Sequence, residues 1–594
     1  MAYACDRDDV MSDEELQFRI DVVTEHVESL HRTEVRCTHV GDGRTGFIVW
    51  EPEKNGSSWP AASVRPAEGA AWIHVPSAAG GSQDGVDPVC LSRDITCGSL
   101  DRIEMGAPAA TIYWSREGMR VANDRLGMAR LYQFGVPGFG TVWSTRTGLA
   151  HVFTGLAPDV EQETWSEIAT LGWNISGRSH LGNGRQMPAS TSIAVGSNGE
   201  VEEASDRHEW VQATASGDVP SYAEAARGMI DAMAVISWWA RRPAADLSGG
   251  KDSRVTAAAA IRAGVVDAVR TVNTDRGEVE TARTLLELAG HPVEHRVVET
   301  KPPKAPEGGV LSRYVSMQNA WEGGFNAVSA HRGAVFQGFL ATSSPIINGL
   351  GGEAIQGHTM ATAASREQLI SQDADAGQAW LMRLVKVNTS ALDEQGTEPA
   401  REAIARYTDE ARGLGFTTAF QMIDYFYHFS KMPYWSQPQV NPGVLLPFYS
   451  PKMLPRTMWS MKNPSIEYGR SHRELLREIL PAWVDVPFYK GSPKSRSIPW
   501  MWENEDWSEL KHIVLDGVGD LDSFSTSKVK NLVSDAESGE GKGRHEISLA
   551  RVMWEISFRE YAKDIARASE RTAGEVARIR GRVRSQGIKT PPHY

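Results

Sequence analysis

Eight consecutive residues, Asp246-Leu247-Ser248-Gly249-Gly250-Lys251-Asp252-Ser253, have the types and spacing needed to hold a phosphate. An apolar run ends, two glycines turn the chain, and a helix-forming stretch begins. Glycines let backbone N–H groups approach an anion closely, and a helix N-terminus adds unpaired donors and the positive end of its dipole. Ser248 and Ser253 add hydroxyl donors, and Lys251 adds a point charge. Asp252 alone would repel phosphate, so its presence calls for a divalent cation between the two. Magnesium is the natural candidate, because it takes one or two carboxylates and completes its shell with phosphate oxygens. The spacing is neither GxxxxGK(S/T) nor GxGxxG, which excludes the Walker and Rossmann readings.

A second stretch, Pro345-Ile346-Ile347-Asn348-Gly349-Leu350-Gly351-Gly352-Glu353, again joins an apolar run to glycines and a carboxylate. In a parallel sheet the C-terminal strand ends gather along one edge, where ligands bind. Glu353 is therefore expected to face Asp252 across the same magnesium, with Gly349 and Gly351 beside the nucleotide.

The elements around these loops predict how they are positioned. The run Tyr222–Ala240 reads as a helix, Ala244–Leu247 as a short strand and Val255–Ala263 as an Ala-rich helix. Strand Ala268–Asn273, a helix over Glu278–Ala289 and strand Val293–Val298 follow, an alternation that predicts a parallel sheet with helical crossovers. Beyond residue 310 the chain reads as mainly helical. Before about residue 210 the texture differs: short β-type runs such as Gly46–Trp50, Ala110–Trp114 and Thr141–Ser144 are separated by turn residues and predict a β-rich domain. The polar stretch Gly196–Glu209 reads as the linker region. The expected division is 1–210 and 211–594, an α/β chain in which a β-rich domain precedes a domain with a parallel sheet and extra helices.

Composition narrows the function. The 594 residues carry 62 Lys+Arg against 75 Asp+Glu, a net charge of −13, which argues against a general nucleic-acid binder. The four cysteines, Cys5, Cys37, Cys90 and Cys97, form no CxxC pair, so neither a disulfide scaffold nor a zinc site is expected. No apolar run is long enough to span a membrane, and the N-terminus lacks the layout of a signal peptide, so a cytoplasmic protein without a membrane partner is expected. The stretch from Gly541 to Tyr594 holds twelve Lys/Arg against six Asp/Glu, with Arg578, Arg580, Arg582 and Arg584 alternating. Such a run is usually a solvated helix end; it is also a candidate dock for an acidic peptide or a partner protein.

The SGGxDS loop resembles the pyrophosphate-binding loop of the PP-loop ATP pyrophosphatases. Together with the second glycine loop, the chain resembles the asparagine synthetase family within that group. Asn123-Asp124-Arg125-Leu126-Gly127-Met128-Ala129-Arg130-Leu131-Tyr132 is similar to the family's ARDRxGxxPLYY segment. Trp143-Ser144-Thr145-Arg146-Thr147-Gly148-Leu149 is similar to its FASExKAL stretch, and Leu445-Leu446-Pro447-Phe448-Tyr449-Ser450 to its RVPFLD segment. The resemblance spans roughly residues 105–500. It implies an N-terminal glutaminase-like domain of the N-terminal-nucleophile type and a C-terminal PP-loop domain that binds ATP and Mg2+. Leu247, Ser248, Gly249, Gly250, Lys251, Asp252, Ser253, Val272, Thr274, Gly349 and Gly351 would hold the nucleotide. Asp252 and Glu353 would hold the metal and serve catalysis with Lys490, which matches the family's reaction-centre lysine; Lys494 is the fallback.

Two departures shape the functional expectation. The family's nucleophilic cysteine follows the initiator Met; here Ala2 stands there, and Cys5 would serve only after removal of four residues. Glutamine hydrolysis is therefore not expected, and the nitrogen donor would be an amine already on a substrate. Leu350 occupies the position of the glutamate of asparagine synthetases, and the tyrosine of the β-lactam synthetase base dyad has no assignable counterpart. The expectation is an AMP-forming carbon–nitrogen ligase that adenylates a carboxylate and joins it to an amine. The closest branch is the lasso-peptide macrolactam cyclases, with a peptide or small-molecule substrate and a leader peptidase or leader-binding protein as candidate partner. The alternatives are a β-lactam synthetase-like or other small-molecule amide synthetase, an RNA-modifying PP-loop enzyme, and a catalytically silent scaffold. Sixteen histidines without metal-ligand spacing, His291, His295 and His358 among them, read as structural. Trp238 and Trp239 read as core, and Trp500 and Trp502 as candidate pocket walls.

Overall fold

Within the first 210 positions the strand Thr45–Pro52 buries both of its faces, Phe47 and Val49 to one side and Ile48 and Trp50 to the other, because successive side chains of a strand point to opposite sides. The computed structural model describes residues 1–6, 9–52, 62–65, 69–74, 88–97, 106–216, 218–233, 242–273, 276–290, 292–299, 308–324, 346–356, 363–387, 389–436, 444–461, 463, 467, 469–489 and 500–585. Strands β1 (Ala2–Cys5), β2 (Val35–Gly41), β3 (Thr45–Pro52), β4 (Ala62–Arg65), β5 (Gly69–His74) and β6 (Ala110–Ser115) come first. They are followed by β7 (Gly118–Asn123), β8 (Tyr132–Val136), β9 (Gly140–Ser144), β10 (Gly184–Gln186), β11 (Thr191–Gly196) and β12 (Val201–Ser205). They form two six-stranded sheets with antiparallel pairings, ordered β10-β8-β9-β1-β3-β2 and β12-β11-β7-β6-β5-β4.

Phe47 and Val49 of β3 join Ala2, Ala4 and Trp143 against Ile112, Val121 and Ile193 of the second sheet, so one core lies between the sheets. Ile48 and Trp50, on the opposite face of β3, pack with Leu16, Ile20 and Val23 of helix Asp13–His31 and with Leu149 and Val152 of helix Thr147–Thr154. Helix Pro88–Thr96 covers the second sheet through Val89, Ala71 and Tyr113. The result is four layers, helix–sheet–sheet–helix. The stretch read as a linker is instead the hairpin that adds β12: Thr191 to Val195 pair with Ser205 to Val201. An edge strand exposed on both faces carries the polar composition of a linker, which is why its sequence reads as one.

The parallel sheet is built as the alternation predicts. Strands β13 (Ala244–Asp246), β14 (Ala268–Asn273), β15 (Glu294–Glu299), β16 (Ile346–Ile347) and β17 (Val444–Leu445) lie in the order β15-β14-β13-β16-β17, every pairing parallel. The chain moves outward from β13 to β15 and then returns to place β16 on the other side of β13. The order reverses between β13 and β16, and a crevice opens there at the carboxyl ends of the strands. Helix Asp252–Arg262 starts three residues earlier than its sequence predicts, and its alanines 257–260 are wholly buried against the sheet.

The two halves are locked together. Helix Arg207–Ser216 runs across residue 210 and packs Trp210 and Val211 with Leu414 and Phe416. Helix Gly543–Ser585, 43 residues long, lies along helices Asp13–His31, Thr147–Thr154 and Gly309–Trp321. Arg571, Arg578, Arg580 and Arg582 on it are each paired with a carboxylate; the side chain of Arg584 lies outside the described residues. Arg580 donates to Glu15 at 2.9 Å and to Asp9 at 3.3 Å, Arg582 to Glu14 at 2.7 Å and Arg571 to Glu25 at 2.5 Å. Arg578 pairs with Glu575 of its own helix. The acidic first turn of helix Asp13–His31 occupies much of the charge proposed to receive a peptide. Among the described residues no helix is long and apolar enough to cross a membrane.

Candidate functional site

Neighbouring strands β13 and β16 end in the two glycine loops, so the switch point of the sheet brings together the two stretches singled out in the sequence. Leu247 is buried and tied to the sheet: its N–H donates to the Arg270 carbonyl at 2.8 Å, and its own carbonyl accepts from Thr271 Oγ1 at 2.6 Å. His295 bonds the same Thr271 hydroxyl at 2.8 Å, which gives that histidine its structural place. Asp246 pairs with Arg270 at 2.8 Å and accepts from Asn348 Nδ2 at 3.1 Å, a bond between the two loops. Beyond Leu247 the turn is held internally. Ser253 Oγ accepts from the Ser248 N–H at 3.0 Å, Ser248 Oγ accepts from the Gly250 N–H at 3.2 Å, and the two hydroxyls lie 2.8 Å apart. Asp252 and Ser253 form the first turn of the helix, so the site sits at its positive end.

The second loop presses onto the first closely enough to require its glycines. A Cβ on Gly349 would lie 2.5 Å from the Ser253 nitrogen, and one on Gly352 would lie 2.5 Å from Asp252 Oδ1. Gly351, at φ +90°, has the Tyr449 ring 2.4 Å from where a Cβ would be. The segment Pro447–Tyr449 therefore backs the second loop, with Phe448 beside Gly352 and Tyr449 beside Gly351. Leu350 packs against the cluster containing Leu446, Tyr427 and Tyr449, so an apolar side chain fits this position.

Two carboxylates meet here. Asp252 Oδ1 accepts from Lys251 Nζ at 2.8 Å and lies 2.7 Å from Nε2 of the wholly buried His472. Burial pushes the Asp252 carboxyl up, but His472 and Lys251 outweigh it and hold the group below its usual range. Glu353 accepts from the Gly351 N–H at 3.2 Å and from the Tyr427 hydroxyl. Burial, then the charge of Asp252, push its carboxyl up. Tyr427 opens a π-helical turn, Tyr427–Lys431. The Lys431 ammonium at its end lies 5.5 Å from the Tyr427 ring centre and 5.6 Å from that of Trp173 in the N-terminal half. Among the described residues no group of three or more His, Cys, Asp or Glu could by itself enclose a metal. Two carboxylates beside a phosphate-type loop fit a hard cation whose remaining ligands are phosphate oxygens and water.

Arg254 was not anticipated from the sequence. Its side chain is wholly buried behind the loop and donates to the carbonyls of Gly249 at 3.0 Å, Val486 at 2.5 Å and Pro487 at 3.0 Å. The Tyr489 N–H donates to the Gly249 carbonyl at 2.8 Å, and the Tyr489 side chain fills the space where Gly249 and Gly277 have no side chain. Lys490, Lys494 and Thr274 lie outside the described residues, as do His291, His358, Trp238 and Trp239. Val272, at the end of β14, is 37% exposed beside its cross-strand neighbour Val298. Trp500 and Trp502 stack on each other at 5.5 Å and abut Gly543 and Gly541, at the approach to the long C-terminal helix. His472 and Tyr427 were also missed. The cue available for His472 was its place in a helix between the Phe448 and Phe488 segments; for Tyr427 there was none.

In the N-terminal half, Ala2 is wholly buried between the two sheets. Cys5 is buried and its thiol is pushed up to about 12, chiefly by loss of hydration, so it is not a source of thiolate near neutral pH. Asp124 of the NDRLG segment is a structural hub, accepting the N–H groups of Ala109, Leu126 and Ala129 at 2.9 Å and of Met128 at 3.1 Å. Compared with protein-family models and with curated proteins, the chain matches none.

Proposed function

We propose that this chain is an AMP-forming carbon–nitrogen ligase of the asparagine synthetase type, with a PP-loop domain that uses Mg2+ and ATP to activate a carboxylate. The observation that carries the reading is the interlocking of the two glycine loops at the switch point, with Asp252 and Glu353 on adjoining edges. In this reading the Ser248–Gly250 turn, Lys251 and the helix N-terminus bind the departing phosphates. Asp252 and Glu353 would hold Mg2+, which would supply charge neutralisation for the pyrophosphate. His472 keeps Asp252 ionised and aimed. Val272 and Val298 offer an apolar surface at the strand ends to the nucleoside.

The chemistry balances without a thiol. An oxygen of the substrate carboxylate bonds to the α-phosphorus, the bond to the oxygen bridging the β-phosphorus breaks, and pyrophosphate leaves. The amine nitrogen then bonds to the acyl carbon, AMP departs with the acyl oxygen, and the amine releases a proton. Holding the amine against the activated acyl group supplies effective molarity, and Lys490 would stabilise the oxyanion. The N-terminal half, with Ala2 at its first strand and Cys5 protonated, acts as a scaffold. We infer from the family resemblance that amine and carboxylate belong to one peptide and close a macrolactam, with a leader peptidase or leader-binding protein as partner. Arg571, Arg578, Arg580 and Arg582 of the C-terminal helix lend this no support, because they pair with carboxylates of this chain. The test is pyrophosphate release from Mg·ATP with candidate precursor peptides and small carboxylates. Absence of release with every acceptor, together with no calorimetric binding of Mg·ATP, overturns the reading.

A further inference from the structure

We propose that Arg254 is a positioning residue that couples the pyrophosphate loop to the segment 486–489, so that filling the loop and ordering that segment become one event. The proposal rests on the ATP reading above and deepens it. Arg254 stands in the first turn of helix Asp252–Arg262, two residues after Asp252, and its side chain is wholly buried. Its guanidinium joins three carbonyls: Gly249 in the loop, and Val486 and Pro487 more than 230 residues further along the chain. Only a planar fork with several fixed donors does this; a lysine ammonium would reach one or two of them as a point charge. The same guanidinium lies 4.8 Å from the ring centre of Phe488, and Arg473 lies 5.2 Å from that ring's centre. Phe488 in turn meets the His472 ring edge-on, and His472 bonds Asp252.

The contact is reinforced on the loop itself. Tyr489 donates its N–H to the Gly249 carbonyl, which also accepts from Arg254. A Cβ on Gly249 would lie 2.5 Å from Tyr489 Cβ, and one on Gly277 would lie 2.5 Å from the Tyr489 ring. The Gly249 carbonyl is thus held from two sides, by the Arg254 guanidinium and by the Tyr489 N–H. A ligand that orders the peptide joining Gly249 to Gly250 fixes the carbonyl that Arg254 and Tyr489 hold, since one plane carries that carbonyl and the Gly250 N–H, which here donates to Ser248 Oγ. Binding energy from the phosphates is thereby directed to residues 486–489, as expected of a site in which remote contacts are used to order the chain.

The experiment is amide hydrogen exchange on the full chain with and without Mg·ATP, in wild type and in Arg254→Lys, alongside calorimetry of Mg·ATP binding. In wild type, Mg·ATP is expected to slow exchange over residues 486–489 by about tenfold or more. In Arg254→Lys that slowing is expected to disappear while the Kd for Mg·ATP stays within about threefold, and pyrophosphate release falls through kcat rather than KM. Retained slowing in Arg254→Lys overturns the coupling. If wild type binds no Mg·ATP, the ligase reading fails separately; faster basal exchange at 486–489 in Arg254→Lys still supports the clamp, and unchanged basal exchange overturns it. Should Arg254→Lys not fold, Phe488→Leu, which removes the ring beneath the guanidinium, decides: partial loss of the slowing supports the coupling and full retention overturns it.

Discussion

The α-carbon of Gly352 faces the side chain of Asp252 so closely that a methyl group there would sit 2.5 Å from Oδ1 and 2.7 Å from Cβ. The two loops are thus one surface, and the geometry of one sets that of the other. Gly352→Ala must push the loops apart, an overpacking that costs roughly 1–3 kcal/mol. Mg·ATP affinity is expected to fall at least about tenfold, equivalent to about 1.4 kcal/mol, with the fold retained. Calorimetry on the variant checks this; wild-type affinity would mean that the loops do not share a ligand.

Asp252→Asn keeps the shape of the side chain and removes its charge. Lys251 and His472 then face a neutral amide, and Glu353 loses the neighbouring charge that helps push its carboxyl up. Pyrophosphate release is expected to fall by about 10²–10³-fold, the usual effect of removing one preorganised electrostatic group. A variant that releases pyrophosphate at the wild-type rate would overturn the proposed metal-holding role of Asp252.

The contrast between what the sequence reveals and what it hides follows from contact range. Both glycine loops are local patterns, and their juxtaposition follows from the strand order rules once β13 and β16 are recognised as strands. Strand Ala268–Asn273 matches its sequence-based boundaries for the same reason. Arg254 and His472 were invisible because their partners lie 232 and 220 residues away, and nothing local marks an arginine in an Ala-rich helix as a clamp. The C-terminal arginines misled in the opposite way. Their charge is a local property, whereas the carboxylates that pair with Arg571, Arg580 and Arg582 lie in the first 25 residues.

Glu322 joins the halves. Its buried carboxylate accepts the N–H groups of Thr147 at 2.8 Å and Gly148 at 3.0 Å and the Tyr561 hydroxyl at 2.8 Å, with Arg146 at 3.6 Å. It therefore caps helix Thr147–Thr154 from another part of the chain. Glu322→Ala leaves these donors and a buried guanidinium without the carboxylate, and is expected to cost roughly 3–5 kcal/mol. Chemical denaturation of the variant measures this, and a loss under about 1 kcal/mol would contradict the role assigned to the buried network.

The strap formed by the C-terminal helix offers a graded comparison. Arg580 is 29% exposed and grips Glu15, which is 3% exposed, whereas Arg582 is 54% exposed and pairs with a Glu14 that is 61% exposed. Arg582→Ala is expected to change stability by less than about 1 kcal/mol, as exposed pairs usually do. Arg580→Ala leaves Glu15 with only Arg19 in a buried setting and is expected to cost more, and to expose the helix end near residue 585 to protease. Equal protease sensitivity of the two variants would show that burial does not set the strength of the strap.

The pH dependence of stability contains two opposing contributions, from His180 and Glu167, that single substitutions can resolve. Burial lowers His180 from 6.5 to about 3, with Arg130 adding to the effect, so the ring stays neutral in the fold. Between pH 6.5 and about 3 the unfolded chain binds a proton that the folded chain does not, so the His180 contribution is present above pH 6.5 and lost on acidification. Glu167 acts with the opposite sign. Burial raises it from 4.5 to about 7, against the bonds it accepts from the N–H groups of Ile175 and Ser176. The folded chain therefore holds the extra proton, and this contribution is present below pH 4.5 and lost as the pH rises to about 7. Each group changes the slope of stability against pH by up to about 1.4 kcal/mol per pH unit within its window. His180→Gln should make stability fall less steeply from pH 6.5 to 5, and Glu167→Gln should make it fall more steeply over the same range. Denaturant titrations of the two variants at pH 6.5 and 5 check both signs, and parallel shifts in the two would refute the burial of one group or the other.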